Sequence, residues 1–250
     1  VRLAKSRGAK VFAITNVVGS TLSREADEVL YTRAGPEIAV ASTKAFTTQL
    51  MCLYMLALKL GELRGVLTAD EASRLAKELA SAGTKAQSII DRKETIQKFA
   101  ARQFNKSKVF FMGRLFDYAV SLESALKLKE ISYTHSEAFA AGELKHGPIA
   151  LVDNTTLVVA IATQKDLYEK LGSNIKETSS RGSSSLVITQ DTTGAFNGVS
   201  NEIFQIPEIE EAFSPMLSVI PAQLFAYYCS VQKGNDPDKP RNLAKSVTVE

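Results

Sequence analysis

The stretch at residues 180–189, S-R-G-S-S-S-L-V-I-T, decides the fold, because its pattern also occurs at residues 6–15 as S-R-G-A-K-V-F-A-I-T. In both copies Ser-Arg-Gly precedes an apolar run, which is typical of a helix end followed by a strand. Each copy continues with a polar turn, a second short strand and a long apolar helix that ends at a glycine. The sequence therefore predicts two copies of one α/β unit. The second strands are predicted at 28–32 and 202–206, and the long helices at 43–60 and 215–233.

The second copy extends further toward the N-terminus than the first copy does. Strands are predicted at 108–112 and 156–162, and helices at 116–131 and 166–179, whereas only five residues precede Ser6. We therefore expect the first unit to be truncated and the chain to be a fragment of a longer protein. Alternating strands and helices predict a parallel sheet covered on both faces. The expected fold class is α/β, with tandem doubly wound parallel-sheet domains.

A helical connector is predicted between the two units. Thr68 and Glu71 have the spacing of a capping box, and Gly83-Thr84 predicts an interruption of the helix. Two prolines predict an extended C-terminal tail, whose apolar segments 243–244 and 247–249 could dock. The expected division is the end of the first domain at 1–67, the connector at 68–105, the second domain at 106–235 and the tail at 236–250.

Composition excludes several classes of protein. The net charge of +3 is spread evenly over the 250 residues, whereas nucleic-acid binders concentrate basic residues on one face. The longest apolar run, 50–58, is shorter than the ~20 residues that span a bilayer, so we expect neither nucleic acid nor membrane as a partner. Charges in residues 1–8 interrupt any secretion signal. Cys52 and Cys229 lie in apolar helical patterns, which indicates no metal site, no disulfide and a cytoplasmic location.

One face of the helix at 116–131 carries Glu123, Lys127 and Glu130 at positions i, i+4 and i+7. A carboxylate held beside an amine can move a proton on a sugar carbonyl. The same spacing is common in ion pairs on solvated helix faces, so both interpretations stay open. The opposite side is predicted to be apolar and to consist of Val120, Leu122, Ala125 and Leu126.

Both histidines, His135 and His146, lie in the stretch 133–148, which ends in Gly147-Pro148 and predicts a loop. His146 is a candidate for proton transfer because histidine titrates near neutral pH. A merely exposed loop histidine is the alternative, and His135 is interpreted as structural.

Two further positions are candidates for contact with a ligand. Ser42 and Thr43 begin the long helix after Gly35-Pro36, where they could cap it or where helix N–H groups could hold a sugar hydroxyl. Lys245 lies between apolar residues of the tail, and a lysine against an apolar wall can lose its charge and attack a carbonyl. A disordered polar tail is the alternative.

Four segments together resemble the glucosamine-6-phosphate synthase family. They are G-P-E-I-A-V-A-S-T-K-A-F-T-T-Q at 35–49, A-L-K-L-K-E-I-S-Y at 125–133, E-A-F-A-A-G-E-L-K-H-G-P at 137–148 and P-R-N-L-A-K-S-V-T-V-E at 240–250. Members of the family are glutamine:fructose-6-phosphate aminotransferases (isomerising), whose isomerase part holds two sugar isomerase (SIS) domains. The resemblance covers essentially the whole chain and implies tandem SIS domains.

The resemblance also implies roles for single residues. Lys245 is implied to form a Schiff base with open-chain fructose 6-phosphate, and Glu130, assisted by Lys127, to move the proton between C1 and C2. His146 is implied to assist ring opening from the neighbouring subunit of a homodimer. The product would be glucosamine 6-phosphate, and no metal or organic cofactor is implied. The sugar hydroxyls are implied to be held by Val40, Ser42 and Ala244.

The chain departs from the family pattern at its beginning. The family's glutaminase domain and the phosphate loop of its first SIS domain are not in the sequence, so we expect this chain alone to be inactive. A non-catalytic SIS module that binds a sugar phosphate as a regulatory signal is the alternative, and a simple phosphosugar isomerase is another. The former would need neither Lys245 nor Glu130, and the latter would not need the lysine tail.

Overall fold

The chain divides into two compact units, Val1–Leu79 and Ala80–Glu250, in a computed structural model that describes residues 1–245. The predicted docking residues 247–249 lie outside the described residues. The boundary between the units falls inside the predicted connector, and the domain division given above stays a prediction. None of the helices in residues 1–245 is long and apolar enough to cross a membrane.

The first unit contains two parallel strands and their helices. The strands pair from Phe12↔Glu28 to Thr15↔Tyr31, so this part of the predicted repeat is confirmed. The elements are α1 (Arg2–Ser6), β1 (Phe12–Thr15), α2 (Thr21–Glu25), β2 (Glu28–Tyr31), α3 (Lys44–Leu63) and α4 (Ala69–Ala80).

Helix α3 does not end where the sequence predicted. It continues through Gly61 to Leu63, and the glycine with left-handed backbone is Gly65, at φ +67°. A Cβ atom on Gly61 would lie 2.9 Å from Leu67 Cδ1. Gly61 therefore allows the chain after the helix to pack closely against it, and Gly65 provides the turn.

The start of α4 has the predicted capping box. Glu71 Oε2 accepts from Thr68 N at 2.9 Å, and Thr68 Oγ1 accepts from Glu71 N at 3.2 Å. The predicted interruption at Gly83-Thr84 is wrong, because both residues lie within α5 (Ala82–Asp91). The break lies between Ala80 and Ala82 instead, and α6 (Lys93–Gln103) follows α5.

The second unit is built on a five-stranded sheet in the order β4-β3-β5-β6-β7, with all neighbours parallel. The predicted parallel α/β fold is confirmed. One strand, β4, was not predicted, because its sequence lies in the stretch interpreted as a loop. The elements are β3 (Lys108–Gly113), α7 (Phe116–Ser132), β4 (Ser136–Ala140), β5 (Thr156–Ala162), α8 (Tyr168–Ser179), β6 (Ser184–Thr189), β7 (Glu202–Gln205) and α9 (Pro215–Gln232).

Strand β5 forms the centre of this unit, and all seven of its residues are buried. Its nearly continuous apolar sequence is typical of a parallel strand covered on both faces. Phe110, Val158, Val187 and Phe196 belong to one apolar cluster on the sheet. Helix α9 is largely buried and packs against α7 and α6. This packing fixes α7, which carries the predicted acid–base residues.

Candidate active site

Lys127 lies on α7 between two carboxylates. Its Nζ is 2.6 Å from Glu130 Oε2 and 3.5 Å from Glu123 Oε1. The lysine side chain is 4% exposed, whereas those of Glu123 and Glu130 are 15% and 22% exposed. The interpretation as a solvated helix face is therefore wrong, because the ammonium group is removed from water.

Burial and the neighbouring lysine act in opposite directions on the pKa of Glu123. Burial raises the pKa of Glu123, although the Lys127 ammonium group opposes this rise; the negative charge of Glu130 adds to it. One ammonium group therefore serves two carboxylates, and burial favours the protonated form of Glu123. Such an arrangement can accept a proton from a neighbouring carbon acid and return it.

The two sides of α7 differ from the prediction. Val120 and Ala125 are buried as expected, but Leu122 and Leu126 are 49% and 43% exposed. The helix packs against α9, β3 and β4. Because it has neighbours around much of its circumference, the simple division into an apolar and a polar face fails here.

His146 lies at the end of a short 3₁₀ helix, Leu144–His146, and is exposed. Its backbone N–H donates to Glu143 O at 3.0 Å, while Leu144 anchors the segment in the core. Within residues 1–245, no hydrogen bond or ion pair joins His146 to Lys127 or its two carboxylates. The other histidine, His135, is also exposed, with Nε2 3.9 Å from Glu137 Oε1.

In the first unit, Val40 and Ser42 are half-buried in the segment that follows β2. Asn16, directly after β1, holds the start of this segment. Its side chain accepts from Ala34 N at 2.9 Å and donates to Gly35 O at 2.8 Å. The segment is thereby tied to the carboxyl ends of both strands.

The N-terminus of α3 is capped differently from the prediction. Thr43 is the N-cap residue, but its side chain makes no capping hydrogen bond. Glu37 Oε1 instead accepts from Thr43 N at 3.3 Å and from Ala45 N at 3.4 Å. The Glu37 carboxylate thus binds N–H groups at the start of α3, where a sugar hydroxyl was the predicted ligand.

The described part of the tail is mostly exposed. Pro240 is buried, whereas Ala244 and Lys245 are exposed. Leu243 is 45% exposed, so it does not form the apolar wall that was expected beside Lys245.

A buried carboxylate that no sequence motif indicated lies at the start of α7. Asp117 is 2% exposed and accepts from Thr163 N at 2.9 Å and from Thr163 Oγ1 at 2.6 Å. Ser214 Oγ donates to Thr163 Oγ1 at 2.7 Å. Burial raises the pKa of Asp117, although the hydrogen bonds from Thr163 oppose this rise. The network connects α7, the end of β5 and the start of α9. Because its residues are far apart in sequence, no local sequence pattern predicts it.

The part of the chain that the structure describes contains no group of three or more His, Cys, Asp or Glu side chains placed to hold a metal ion. The candidate site on α7 therefore offers one ammonium group, that of Lys127, and the two carboxylates of Glu123 and Glu130.

Family comparison agrees with this architecture. Residues 1–59 and 104–233 match the SIS domain. The chain belongs to the SIS domain family. The candidate site residues described above lie within the matched ranges, except for those of the tail.

Several proteins are similar to this SIS chain over nearly all of its length. A glutamine–fructose-6-phosphate aminotransferase (isomerizing) of Caldanaerobacter subterraneus subsp. tengcongensis is 54% identical over 247 residues, which are 99% of this chain and 41% of the relative. The chain thus spans about two fifths of that relative's length. The solved C-terminal domain of glucosamine-fructose-6-phosphate aminotransferase from Francisella tularensis is 35% identical with a TM-score of 0.89, over 95% of this chain and 67% of that one.

A third similar protein bears a different name. The glucosamine-6-phosphate deaminase structure from Thermotoga maritima is 29% identical with a TM-score of 0.74, over 98% of this chain and 69% of that one. The roles of single residues in this SIS chain, namely Lys245, Glu130, Lys127, His146, Val40, Ser42 and Ala244, stay predictions.

Proposed function

We propose that this chain is the isomerase part of a glutamine–fructose-6-phosphate aminotransferase. In this function, fructose 6-phosphate and ammonia from glutamine give glucosamine 6-phosphate. The observation that carries the proposal is the buried Lys127 held 2.6 Å from Glu130 within a SIS fold. The 54% identity to an aminotransferase supports the same reaction.

The first chemical step forms an imine on the tail lysine. Lys245 Nζ attacks C2 of the open-chain ketose, and loss of water leaves a C=N bond between Nζ and C2. Ammonia then adds to C2 and the lysine departs as an amine, so that an imine of the sugar remains. Val40, Ser42 and Ala244 hold the sugar hydroxyls during these steps.

The second step is a proton transfer between neighbouring carbons. The imine makes the C1–H bond acidic, and Glu130 takes this proton and later gives it to C2. Over the two transfers the imine nitrogen gains a proton and the C1 hydroxyl loses one, which leaves an aldehyde at C1 and an amine at C2. Lys127 holds the Glu130 carboxylate at 2.6 Å, and the reaction requires no oxidant.

The proposal includes a partner subunit and a cellular location. His146 is exposed on the second unit, where it can assist opening of the sugar ring in the site of a second copy, so the active species is a homodimer. Cys52 and Cys229 are buried free thiols, which fits the proposed cytoplasmic location.

The proposal is tested with a chimera in which this chain replaces the matching residues of the Caldanaerobacter relative. The purified chimera should form glucosamine 6-phosphate from fructose 6-phosphate and glutamine, with the parent relative as the positive control. The 250-residue chain alone should form none, since it matches only 41% of that relative.

Three outcomes would contradict the proposed function. Release of glutamate by a folded chimera without amino sugar would exclude aminotransfer by this chain. Fructose 6-phosphate binding without turnover would support the regulatory module instead. Conversion of glucosamine 6-phosphate to fructose 6-phosphate and ammonia, without the synthetic reaction, would support a deaminase.

A further inference from the structure

Tyr133 and Arg241 make two contacts across a sequence separation of 108 residues. The Arg241 backbone N–H donates to Tyr133 Oη at 2.8 Å. The Arg241 guanidinium carbon lies 4.2 Å from the centre of the Tyr133 ring, which is within the range of a cation–π contact. Because one contact uses the main chain and the other the side chain, together they restrain both the position and the orientation of the tail.

Tyr133 occupies a backbone conformation that favours glycine. It is the C-cap residue of α7 and has φ +55° and ψ +21°. Glycine commonly ends helices in this left-handed conformation, whereas a tyrosine there is strained. Glycine would relieve the strain but could provide neither the ring nor the hydroxyl group that contacts Arg241. The tyrosine is therefore better explained by the contact than by the helix end.

The end of α7, directly before Tyr133, receives hydrogen bonds from the end of α9 and from the residue after it. Ser230 Oγ donates to Ile131 O at 2.9 Å, and Lys233 Nζ donates to Ser132 O at 3.2 Å. A cation at the carboxyl end of a helix also interacts favourably with the helix dipole. Pro240, which is buried, restricts the backbone directly before Arg241. The contact thus connects two restrained segments.

The positions of the two residues along the chain connect the contact with the proposed chemistry. Tyr133 follows Glu130 by three residues, directly after the end of α7, and Arg241 precedes Lys245 by four residues in the tail. Four extended residues reach at most ~14 Å. Because the contact holds Arg241 beside Tyr133, the Lys245 backbone stays within about that distance of the place where Arg241 is held, next to the end of α7.

We propose that Tyr133 and Arg241 are positioning residues that hold the Lys245 amine for attack on a ketose bound at α7. This inference rests on the proposed function of Lys245 and Glu130. Neither residue of the pair needs to touch the sugar; their role is to limit where the tail can carry the lysine. Loss of such orientation can reduce a rate by ~10²-fold.

The test uses the chimera and compares variants that separate positioning from folding. Tyr133→Gly removes both contacts but suits the left-handed backbone, so its thermal midpoint should not fall. Its rate of borohydride trapping of fructose 6-phosphate on Lys245 should fall by ~10–100-fold, with the dissociation constant of the sugar nearly unchanged. Tyr133→Phe keeps the ring contact and should lose only ~3–10-fold.

Variants of the arginine provide the matched comparison. Arg241→Ala removes the contact with the ring but keeps the backbone hydrogen bond to Tyr133 Oη, so it should reduce trapping, though less than Tyr133→Gly does. Arg102→Ala is the control, because Arg102 on α6 also lies over an aromatic ring, 5.9 Å from the centre of Phe99, but has no part in the tail. It should trap at the normal rate. Normal trapping in both Tyr133→Gly and Arg241→Ala would overturn the proposal.

A second measurement separates this proposal from the proposed function. Hydrogen exchange of the Arg241 amide should be faster in Tyr133→Gly than in the unaltered chimera, whether or not Lys245 reacts. If borohydride labels no lysine in the unaltered chimera, the proposed function of Lys245 fails. Unchanged exchange at Arg241 would show instead that the pair does not hold the tail.

Discussion

The Lys127 ammonium group lies 2.6 Å from Glu130 Oε2, and the Lys127 side chain is only 4% exposed. An ion pair on a protein surface contributes ~0–1 kcal/mol. Breaking a buried pair by removal of one partner costs ~3–5 kcal/mol, because the other charge stays buried without compensation. Since Glu130 is partly exposed, the lower end of that range applies here.

Replacing Lys127 with methionine should therefore destabilise the chain strongly. Methionine has a similar length but leaves both carboxylates without the ammonium group, and we expect the free energy of unfolding in urea to fall by ~3 kcal/mol. The double variant Lys127→Met/Glu130→Gln should recover part of that loss, because one of the two carboxylates is then neutral.

Lys59→Met is the matched control for this series. Lys59 pairs with Glu62 at 2.9 Å with the same i,i+3 spacing, but its side chain is 62% exposed. Its removal should leave the free energy of unfolding nearly unchanged. Equal losses in Lys127→Met and Lys59→Met would show that burial of the Lys127 pair has no energetic consequence.

Glu130→Gln should separate proton transfer from sugar binding. Glutamine keeps the shape of the side chain but cannot accept a proton from C1. In the chimera, we expect exchange of the C1 hydrogen with solvent deuterium to fall at least ~10²-fold, while fructose 6-phosphate binding changes little. Mass spectrometry of the recovered sugar provides the measurement. A near-normal exchange rate would remove Glu130 from the mechanism.

The repeat in the sequence predicted much of the architecture because strand and helix patterns are local. The copies at residues 6–15 and 180–189 indicated β1 and β6, and hydrophobic runs indicated β5 and α9. Strand β4 was missed because Ser136–Ala140 is short and lies between loop signals. Its strand conformation results from pairing with β3, which is a tertiary effect.

Only part of the candidate site could be predicted from the sequence. Helical spacing brought Lys127 and Glu130 together, since i,i+3 neighbours share a helix face. Spacing could not show that this face is buried, because the burial results from packing in the second unit. The contact between Tyr133 and Arg241 also depends on distant segments, and no local pattern indicates it.

Asp117 should make stability depend on pH in a defined direction. Burial raises its pKa in the folded state above the usual 3.8, so the folded state binds this proton more tightly than the unfolded chain does. The contribution of Asp117 to the free energy of unfolding therefore falls as the pH rises from about 3.8 to the raised pKa. Asp117→Asn, which cannot ionise, should lack this contribution.

The hydrogen bonds around Asp117 allow this substitution. An asparagine oxygen can accept from Thr163 N, while its nitrogen donates to Thr163 Oγ1, which then donates to Ser214 Oγ. Ser214 Oγ can in turn donate to Glu211 O, at 2.7 Å. Urea unfolding across this pH range should show the advantage of Asp117→Asn over the unaltered chain growing as pH rises. A constant difference would contradict the raised pKa.

Hybrid dimers should show whether His146 acts across a subunit interface. Chimeras with His146→Ala or Lys245→Ala should each be inactive or nearly so. If His146 serves the partner's site, mixed dimers contain one site with both residues intact and should recover up to about half of the activity per hybrid dimer. Subunit exchange is followed with distinguishable tags. No recovery despite confirmed exchange would place both residues in the site of one subunit.

Lys245 should be the residue that forms the covalent bond with the sugar. Its amine lies at the surface end of a tail restrained at Arg241, so it can reach a ligand without rearrangement of the core. In the chimera with fructose 6-phosphate, borohydride should reduce the imine and leave a hexose-phosphate adduct on the peptide that contains Lys245. Lys245→Arg keeps the positive charge but cannot form the imine, so it should bind the sugar with no detectable turnover. If peptide mapping finds the adduct on Lys127 instead, the buried lysine is the nucleophile and the tail only covers the site.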